Sequence, residues 1–418
     1  MSSALRIHDY ADASFDAFRT FDAAQGLGEV EDPYPTIHQV NRQGRVQRGD
    51  LRDKCGLRPF DLWAELPSVM VMGYEMVERV YGDAATFSNA IMRRIYSSSF
   101  GQSINGMDGP EHARYRRLFQ RAFMPQTVAQ WGKELVPRVV DGLIARFATR
   151  GSAELVSDFT IQYPFEVIYG QLGLPSDDLE IFHRLAAGLM CIMVDYAHAA
   201  EASKKMGDYF RVLLQERQGS GGDDLISLLA NAEIEGERLP AEVSESFLRQ
   251  LMNAAGDTTY RSTGSLLVGL LTHPRQLAAV RSDRTLMARA IEEALRWDGP
   301  LTVLTRQATR DIELDDVEIA SGTKIDVVAG SANRDSTRFP DPDRFDIFRP
   351  PARHMAFAFG PHICLGQHLA RLEMTRALNA LLDRLPNLRL DPDYPPPRVA
   401  GFNSRAPTAI HVLFDPVH

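Results

Sequence analysis

Cysteine is scarce: Cys55, Cys191 and Cys364 are the three in a chain of 418 residues. An odd, sparse set builds no disulfide framework and suits a reducing compartment, so a cytoplasmic protein is expected. Positive charge is also in deficit. Lys and Arg number 46 against 55 Asp and Glu, a formal charge of -9, which argues against a nucleic-acid partner, whose binding rests on cations that neutralise phosphates. Long apolar runs are missing. No stretch reaches the ~18 uninterrupted apolar residues of a membrane span, and Met1 to Tyr10 has the pattern of neither a leader nor a membrane anchor. There is no glycine-rich dinucleotide fingerprint, no zinc-type Cys/His cluster, no internal repeat and no low-complexity tract. Gln218 to Asp224 is linker-like but short enough to be a turn between helices. With 44% hydrophobic residues, the chain is expected to fold as one domain over residues 1–418.

What is present is mostly helical periodicity. It covers Arg114 to Phe123, Trp131 to Phe147, Leu179 to Arg217, Asp224 to Ala232, Pro240 to Thr272, Pro274 to Val280, Leu286 to Trp297 and Leu365 to Leu385. Strand signals cluster near residues 60–75, around Val69 to Met72, and over 301–330, where Val317 to Ile319 and Lys324 to Val327 flank Ser321-Gly322 as an expected hairpin. The fold class is therefore mainly α with a smaller β-rich region. The run from Pro240 to Thr272 is long enough to cross a domain, roughly 50 Å at ~1.5 Å per residue. Its centre holds Gly256, Asp257, Thr258 and Thr259, all poor interior helix residues. Such local inconsistency often marks a functional site.

Cys55 and Cys191 are read as small buried hydrophobes or idle thiols. Cys364 has different neighbours. The loop 357–366 carries Gly360 and Gly366 and runs straight into the helical pattern that follows. A thiol at a helix N-terminus meets free N–H groups and the positive end of the dipole, so its pKa is expected to fall. Thiolate is the form that binds iron, and the two glycines let the backbone lie close to a flat ring. The plain alternative is a buried cysteine at a helix start.

The pattern Phe-x-x-Gly-x-His-x-Cys-x-Gly from Phe357 to Gly366, followed by Ala370 and Glu373, closely resembles the haem-binding signature of cytochromes P-450. The resemblance continues in chain order over nearly the full length. It implies the cytochrome P-450 fold of the soluble bacterial type, haem b as cofactor and Cys364 as the axial thiolate, with Phe357 and Gly366 beside the ring. Glu293-Ala294-Leu295-Arg296 looks like the family's Glu-x-x-Arg helix. Pro342-Asp343-Arg344-Phe345 resembles the later meander, which makes Arg344 the expected third partner of Glu293 and Arg296. Ala254-Ala255-Gly256-Asp257-Thr258-Thr259 resembles the central acid–alcohol motif, with Asp257 and Thr258 assisting proton delivery to dioxygen. Ala255 stands where the family usually has glycine; alanine is small enough to keep access for O2. His112 and Arg116, Arg306 and His362 match the family's haem-propionate ligands.

The implied activity is a monooxygenase that inserts one oxygen atom of O2 into a small apolar organic substrate. Electrons come from NAD(P)H through a separate ferredoxin and ferredoxin reductase. The other readings are a peroxide-driven haem-thiolate enzyme, which often lacks the acid–alcohol pair, and a non-catalytic haem sensor or electron carrier. Family-like pocket segments are Ile91 to Ile104, Leu185 to Tyr196, Leu251 to Ala255, Leu301 to Leu304 and Phe402-Asn403. Met190, Ile192, Met193 and Val194 suggest an apolar cavity, and Ala254, Thr302, Leu304 and Phe402 are expected to line it. Gln250 and Asn253, one turn before Ala254 and Asp257, suggest a substrate with an oxygen function, although both amides could equally bond to neighbouring helices. Arg114, Arg117 and Arg121 fall on one helical stripe, an expected docking site for an acidic ferredoxin.

Overall fold

The computed structural model describes residues 6–222 and 224–417. The readings of Met1 to Leu5 and of Asp223 fall outside the described residues. The elements that frame the site are helices α1 (Ala17–Ala24), α2 (Tyr74–Gly82), α3 (Ala90–Tyr96), α4 (Gly109–Ala122), α5 (Gln162–Gln171), α6 (Leu179–Met190), α7 (Tyr196–Glu216), α8 (Ala241–Leu271), α9 (Met287–Trp297) and α10 (Gln367–Arg384). The expected long helix is there as α8, and α5, α6, α7, α9 and α10 all pack against it. Its middle obeys tertiary demands. A Cβ at Gly256 would lie 2.5 Å from the Phe165 ring, so only glycine lets α5 approach this closely.

The expected helix from Leu179 to Arg217 is two helices. A short 3-10 turn over Cys191–Met193 breaks it, and the Asp195 side chain accepts the His198 N–H to start α7. Asp favours such a cap over a helix interior because its carboxylate satisfies a free N–H of the first turn. The expected helix from Trp131 to Phe147 is shorter, Leu135–Ala145, and Trp131 instead ends a separate helix, Pro125–Trp131.

The larger sheet joins β1 (Val46–Arg48), β2 (Ser68–Val71), β3 (Phe87–Ser88), β4 (Leu304–Ala308) and, further along the chain, Lys324–Val327. With β5 (Ile312–Leu314) and β6 (Val317–Ile319) between them, Lys324–Val327 is β7, and the spatial order is β1-β2-β7-β4-β3. The expected β6–β7 hairpin does not form. β6 pairs with β5, with Ile312 opposite Ile319, through Asp315 and Asp316 at φ 52° and 60°. That two-residue turn with both φ positive matches the twist of a tight hairpin. Ser321-Gly322 instead leads the chain into β7, which is parallel to β2 and antiparallel to β4.

His183 on α6 lies tilted against Phe165, ring centroids 3.5 Å apart, with Phe18 edge-on at 4.5 Å. Its Nε2 is buried without a partner among the described residues, and burial pulls its pKa down to about 3. As pH falls below about 6.5, the unfolded chain takes up a proton that the folded chain refuses, so stability falls with pH until the folded group titrates. By pH 5 the loss from this group amounts to about 2 kcal/mol. His183→Phe should flatten that limb; denaturant unfolding at pH 7 and pH 5 checks it. Equal losses in parent and variant would show that His183 does not carry the effect.

Candidate active site

The loop over 357–366 folds back on itself. The Cys364 N–H donates to Phe357 O at 2.9 Å, Ala358 and Gly360 take φ 58° and 73°, and Gly360–His362 forms a 3-10 turn. A Cβ on Gly360 would sit 2.5 Å from Tyr81 O, so this glycine is required by close approach as well as by its φ. Cys364 is left just ahead of α10, at the wall of a cavity also lined by Phe357, His362, Ile363 and Gly366. Ala254, Ala255, Thr258 and Thr259 of α8 contribute to the same cavity, and Leu301 and Leu304 line it beside them.

Burial pushes the Cys364 thiol up from its ordinary value, against the N–H groups of Gly366 and Gln367 and the charges of Arg116 and Arg371. This corrects the expected fall. A sulfur anion among apolar walls loses more hydration than these donors return. A cation on the sulfur would reverse the balance, because a coordinating thiol is deprotonated outright.

Polar groups at and behind the cavity wall suit an anionic, flat group: Arg116 and His362 line the cavity, and Arg306 and His112 lie outside its lining. Arg306 is buried, and among the described residues its one hydrogen bond is to Thr305 O at 2.9 Å. Burial draws its pKa down, with Tyr81 and Asp108 opposing. Among the described residues Arg116 donates only to Ile363 O, at 2.6 Å. Neither guanidinium has a carboxylate partner among the described residues, an arrangement that leaves fork-like donors for an anion. His112 Nε2 is buried with no partner among the described residues, and its ring lies 4.0 Å from that of His362. Burial and the neighbouring positive charges bring the His112 pKa down to about 4. His362 is held by Asp108 at 3.1 Å. A Cβ at Gly366 would meet no protein atom within 4 Å. These donors and this space fit the propionates and ring of a haem.

The structure corrects the expected third partner of Glu293 and Arg296. Arg296 Nε and Nη2 donate to Glu293 at 2.8 Å each, and the guanidinium also reaches the carbonyls of Asn333, Pro342 and Arg344. The third side chain is Arg349, with Nε 3.3 Å from both Glu293 oxygens. Arg344 points outward to Asp346 and its side chain is 64% exposed; only its carbonyl joins the cluster.

Thr258 faces the cavity and donates from Oγ1 to Ala254 O at 2.9 Å. Asp257 does not share that face, a second correction. Consecutive helical residues diverge by about 100°, and Asp257 is buried with both oxygens 3.0 Å from Arg261 Nε. Arg261 also binds Asp22 of α1 at 2.7 Å and the Ser404 carbonyl. Burial pushes the Asp257 carboxyl up, against the charge of Arg261.

The expected substrate residues divide similarly. Gln250, Ala254 and Leu304 line the cavity. Asn253 is buried toward α6, donating to Ala186 O at 3.3 Å. Thr302 is buried against Gly330 rather than at the cavity. Phe402 lines a neighbouring cavity with Met92, Tyr96, Met190 and Met193, and the two cavities share Leu301 and Leu304. Ile192 is buried in a cluster with Ile95 and Ala199, and Val194 is 49% exposed. The basic stripe is shorter than expected: Arg117 and Arg121 are exposed, whereas Arg114 reaches Glu235 at 3.3 Å.

The sequence reading passed over Asp108, Arg349 and Arg261. Asp108 precedes Gly-Pro at the start of α4, and Arg261 stands four residues after Asp257, so helix-start and i,i+4 rules could have found both. Arg349 lies in irregular chain and left no periodic signal.

The family model for Cytochrome P450 matches residues 193–399. Cytochrome P450 monooxygenase PikC of Streptomyces venezuelae is 33% identical over 91% of this chain and 92% of its own length. Cytochrome P450-terp of a Pseudomonas species is 32% identical over 92% and 94%. The solved structure of CYP109Q5 from Chondromyces apiculatus superimposes with a TM-score of 0.81 at 31% identity, covering 93% of this chain and 96% of that one. With a cysteine loop, a long cavity-lining helix and relatives that match it almost end to end, this chain belongs to the cytochrome P450 family of haem-thiolate monooxygenases.

Proposed function

We propose that this enzyme inserts one atom of O2 into a C–H bond of a small, largely apolar molecule, the other atom leaving as water. Two electrons would come from NAD(P)H through a separate ferredoxin and reductase, and two protons from NAD(P)H and solvent. The observation that carries this reading is the placement of Cys364 and Thr258 on one cavity that Arg116 also lines, a guanidinium without a carboxylate partner among the described residues. Haem b, bound there, would supply the oxidation chemistry. Cys364 would hold it through sulfur, and Arg116, Arg306, His112 and His362 would hold its propionates. Phe357 and Gly366 would flank the ring. Thr258 keeps a hydroxyl proton at the α8 wall, anchored to Ala254 O. Asp257, held by Arg261, acts on Thr258 only through the helix they share. Leu251, Leu301, Leu304 and Phe247 exclude water from the substrate. Among the described residues no helix is long and apolar enough to cross a membrane, and we place the enzyme in the cytoplasm with Arg117 and Arg121 as docking cations for an acidic ferredoxin.

Thr258→Ala should preserve substrate binding but divert most reducing equivalents to hydrogen peroxide or water, with product per NAD(P)H falling by about two orders of magnitude or more, as positioned proton transfer typically contributes ~10²–10⁴-fold. Reconstitution with a ferredoxin and its reductase, following NAD(P)H, peroxide and product together, checks this. Unchanged coupling would remove Thr258 from the mechanism. Product at full rate from hydrogen peroxide alone would establish the peroxide-driven reading instead.

A further inference from the structure

On the largely apolar cavity wall the direction of the Gln250 amide is fixed by a neighbour. Ser103 Oγ accepts the backbone N–H of Asn105 at 3.2 Å and donates to Gln250 Oε1. A hydroxyl has one proton, and an amide N–H can only donate. Among the described residues the Gln250 side chain is the one acceptor for the Ser103 proton, so the amide oxygen must face Ser103. Among the described residues the amide NH2 is then left without an acceptor, on a residue that lines the cavity among Ile104, Phe247, Leu251 and Leu301. A donor kept unpaired in apolar surroundings costs free energy that a ligand's acceptor returns. The other amide expected here, Asn253, is already bonded to Ala186 O.

Gln250 precedes Thr258 by eight residues on α8, about 12 Å along the axis at ~1.5 Å per residue. We propose that Gln250, oriented by Ser103, is the specificity-determining residue: it selects an apolar substrate that carries a hydrogen-bond acceptor, such as a ketone or ester carbonyl, at the end remote from the carbon to be oxidised. The choice of oxidised end rests on the monooxygenase reading; the preference in binding does not.

The test compares cyclododecanone with cyclododecane, equal in carbon count and differing in one acceptor, on the haem-loaded protein. Binding is followed by the ligand-induced shift of the Soret band and, independently, by calorimetry. The parent should bind the ketone roughly 3- to 10-fold more tightly, the range of one neutral hydrogen bond. Gln250→Leu should abolish that preference while leaving cyclododecane affinity equal or higher, which also shows the cavity intact. Ser103→Ala should narrow the preference by freeing the amide to turn. A parent without preference, or a Gln250→Leu variant that keeps it, overturns the proposal. The carbon monoxide spectrum of the same samples reports the thiolate separately, so a missing ketone preference under a normal spectrum counts against Gln250 alone.

Discussion

Cys364→Ser should abolish the strongly red-shifted Soret band that a thiolate-ligated haem gives in its reduced carbon monoxide complex, and product formation should fall below detection. The substitution is selective. Serine keeps the backbone N–H that donates to Phe357 O and keeps the loop's shape. What it removes is, among the described residues, the only cysteine sulfur at this cavity. A serine hydroxyl does not ionise under a metal as readily as a thiol, so the charge donated to iron is lost. Arg116, Arg306, His112 and His362 are untouched, and haem should still be retained in substantial part. The measurement is the visible spectrum with haem quantified in the same sample. A red-shifted band surviving in Cys364→Ser would take the axial ligand away from this residue.

The second large effect concerns the Glu293 cluster. Arg296→Leu should destabilise the fold by about 3–5 kcal/mol, the usual consequence of stranding one member of a buried ion pair. Glu293 would be left with Arg349 and the Asp346 N–H, and the carbonyls of Asn333, Pro342 and Arg344 would lose their common donor. Arg296→Lys should recover little, because an ammonium cannot reproduce the planar fork that reaches a carboxylate and three carbonyls together. Arg349→Ala should cost less than Arg296→Leu but well over the ~0.5 kcal/mol of an ordinary surface change, and Arg344→Ala should stay within that limit. Denaturant midpoints and haem retention across the four variants check the order. If Arg344→Ala costs as much as Arg349→Ala, the guanidinium of Arg344 matters more than its outward position allows.

Arg344 and Arg349 show where sequence reading stops. Both lie in an irregular stretch between α9 and the cysteine loop, where no helical or strand period tells which side chain turns inward. The same limit applied to Asn253 and Gln250. Helical spacing put both near the middle of α8, but only the position of α6, whose Ala186 carbonyl takes the Asn253 amide, decides that one faces a neighbour and the other the cavity. Asp257 was partly legible: Arg261 follows it at the spacing of a helical ion pair, whereas Asp22, 239 residues away, completes the cluster through tertiary contact alone. The β5–β6 hairpin was also within reach, since two consecutive aspartates make a reasonable turn with positive φ.

The amino-acid order alone determined that Cys364 stands between two glycines at a helix start, that a long helix carries a small-residue and threonine motif at its centre, and that the fold is mainly helical. Those features are local: each is written within a few turns of one chain segment, where backbone sterics and side-chain period act directly. The tertiary structure alone decided that Asp257 is committed to Arg261 and Asp22, that Arg349 rather than Arg344 closes on Glu293, and that Ser103 aims the amide of Gln250 into the cavity. Each of these joins residues far apart in the chain. Burial makes such polar groups find partners, and which partner is within reach depends on how the helices pack.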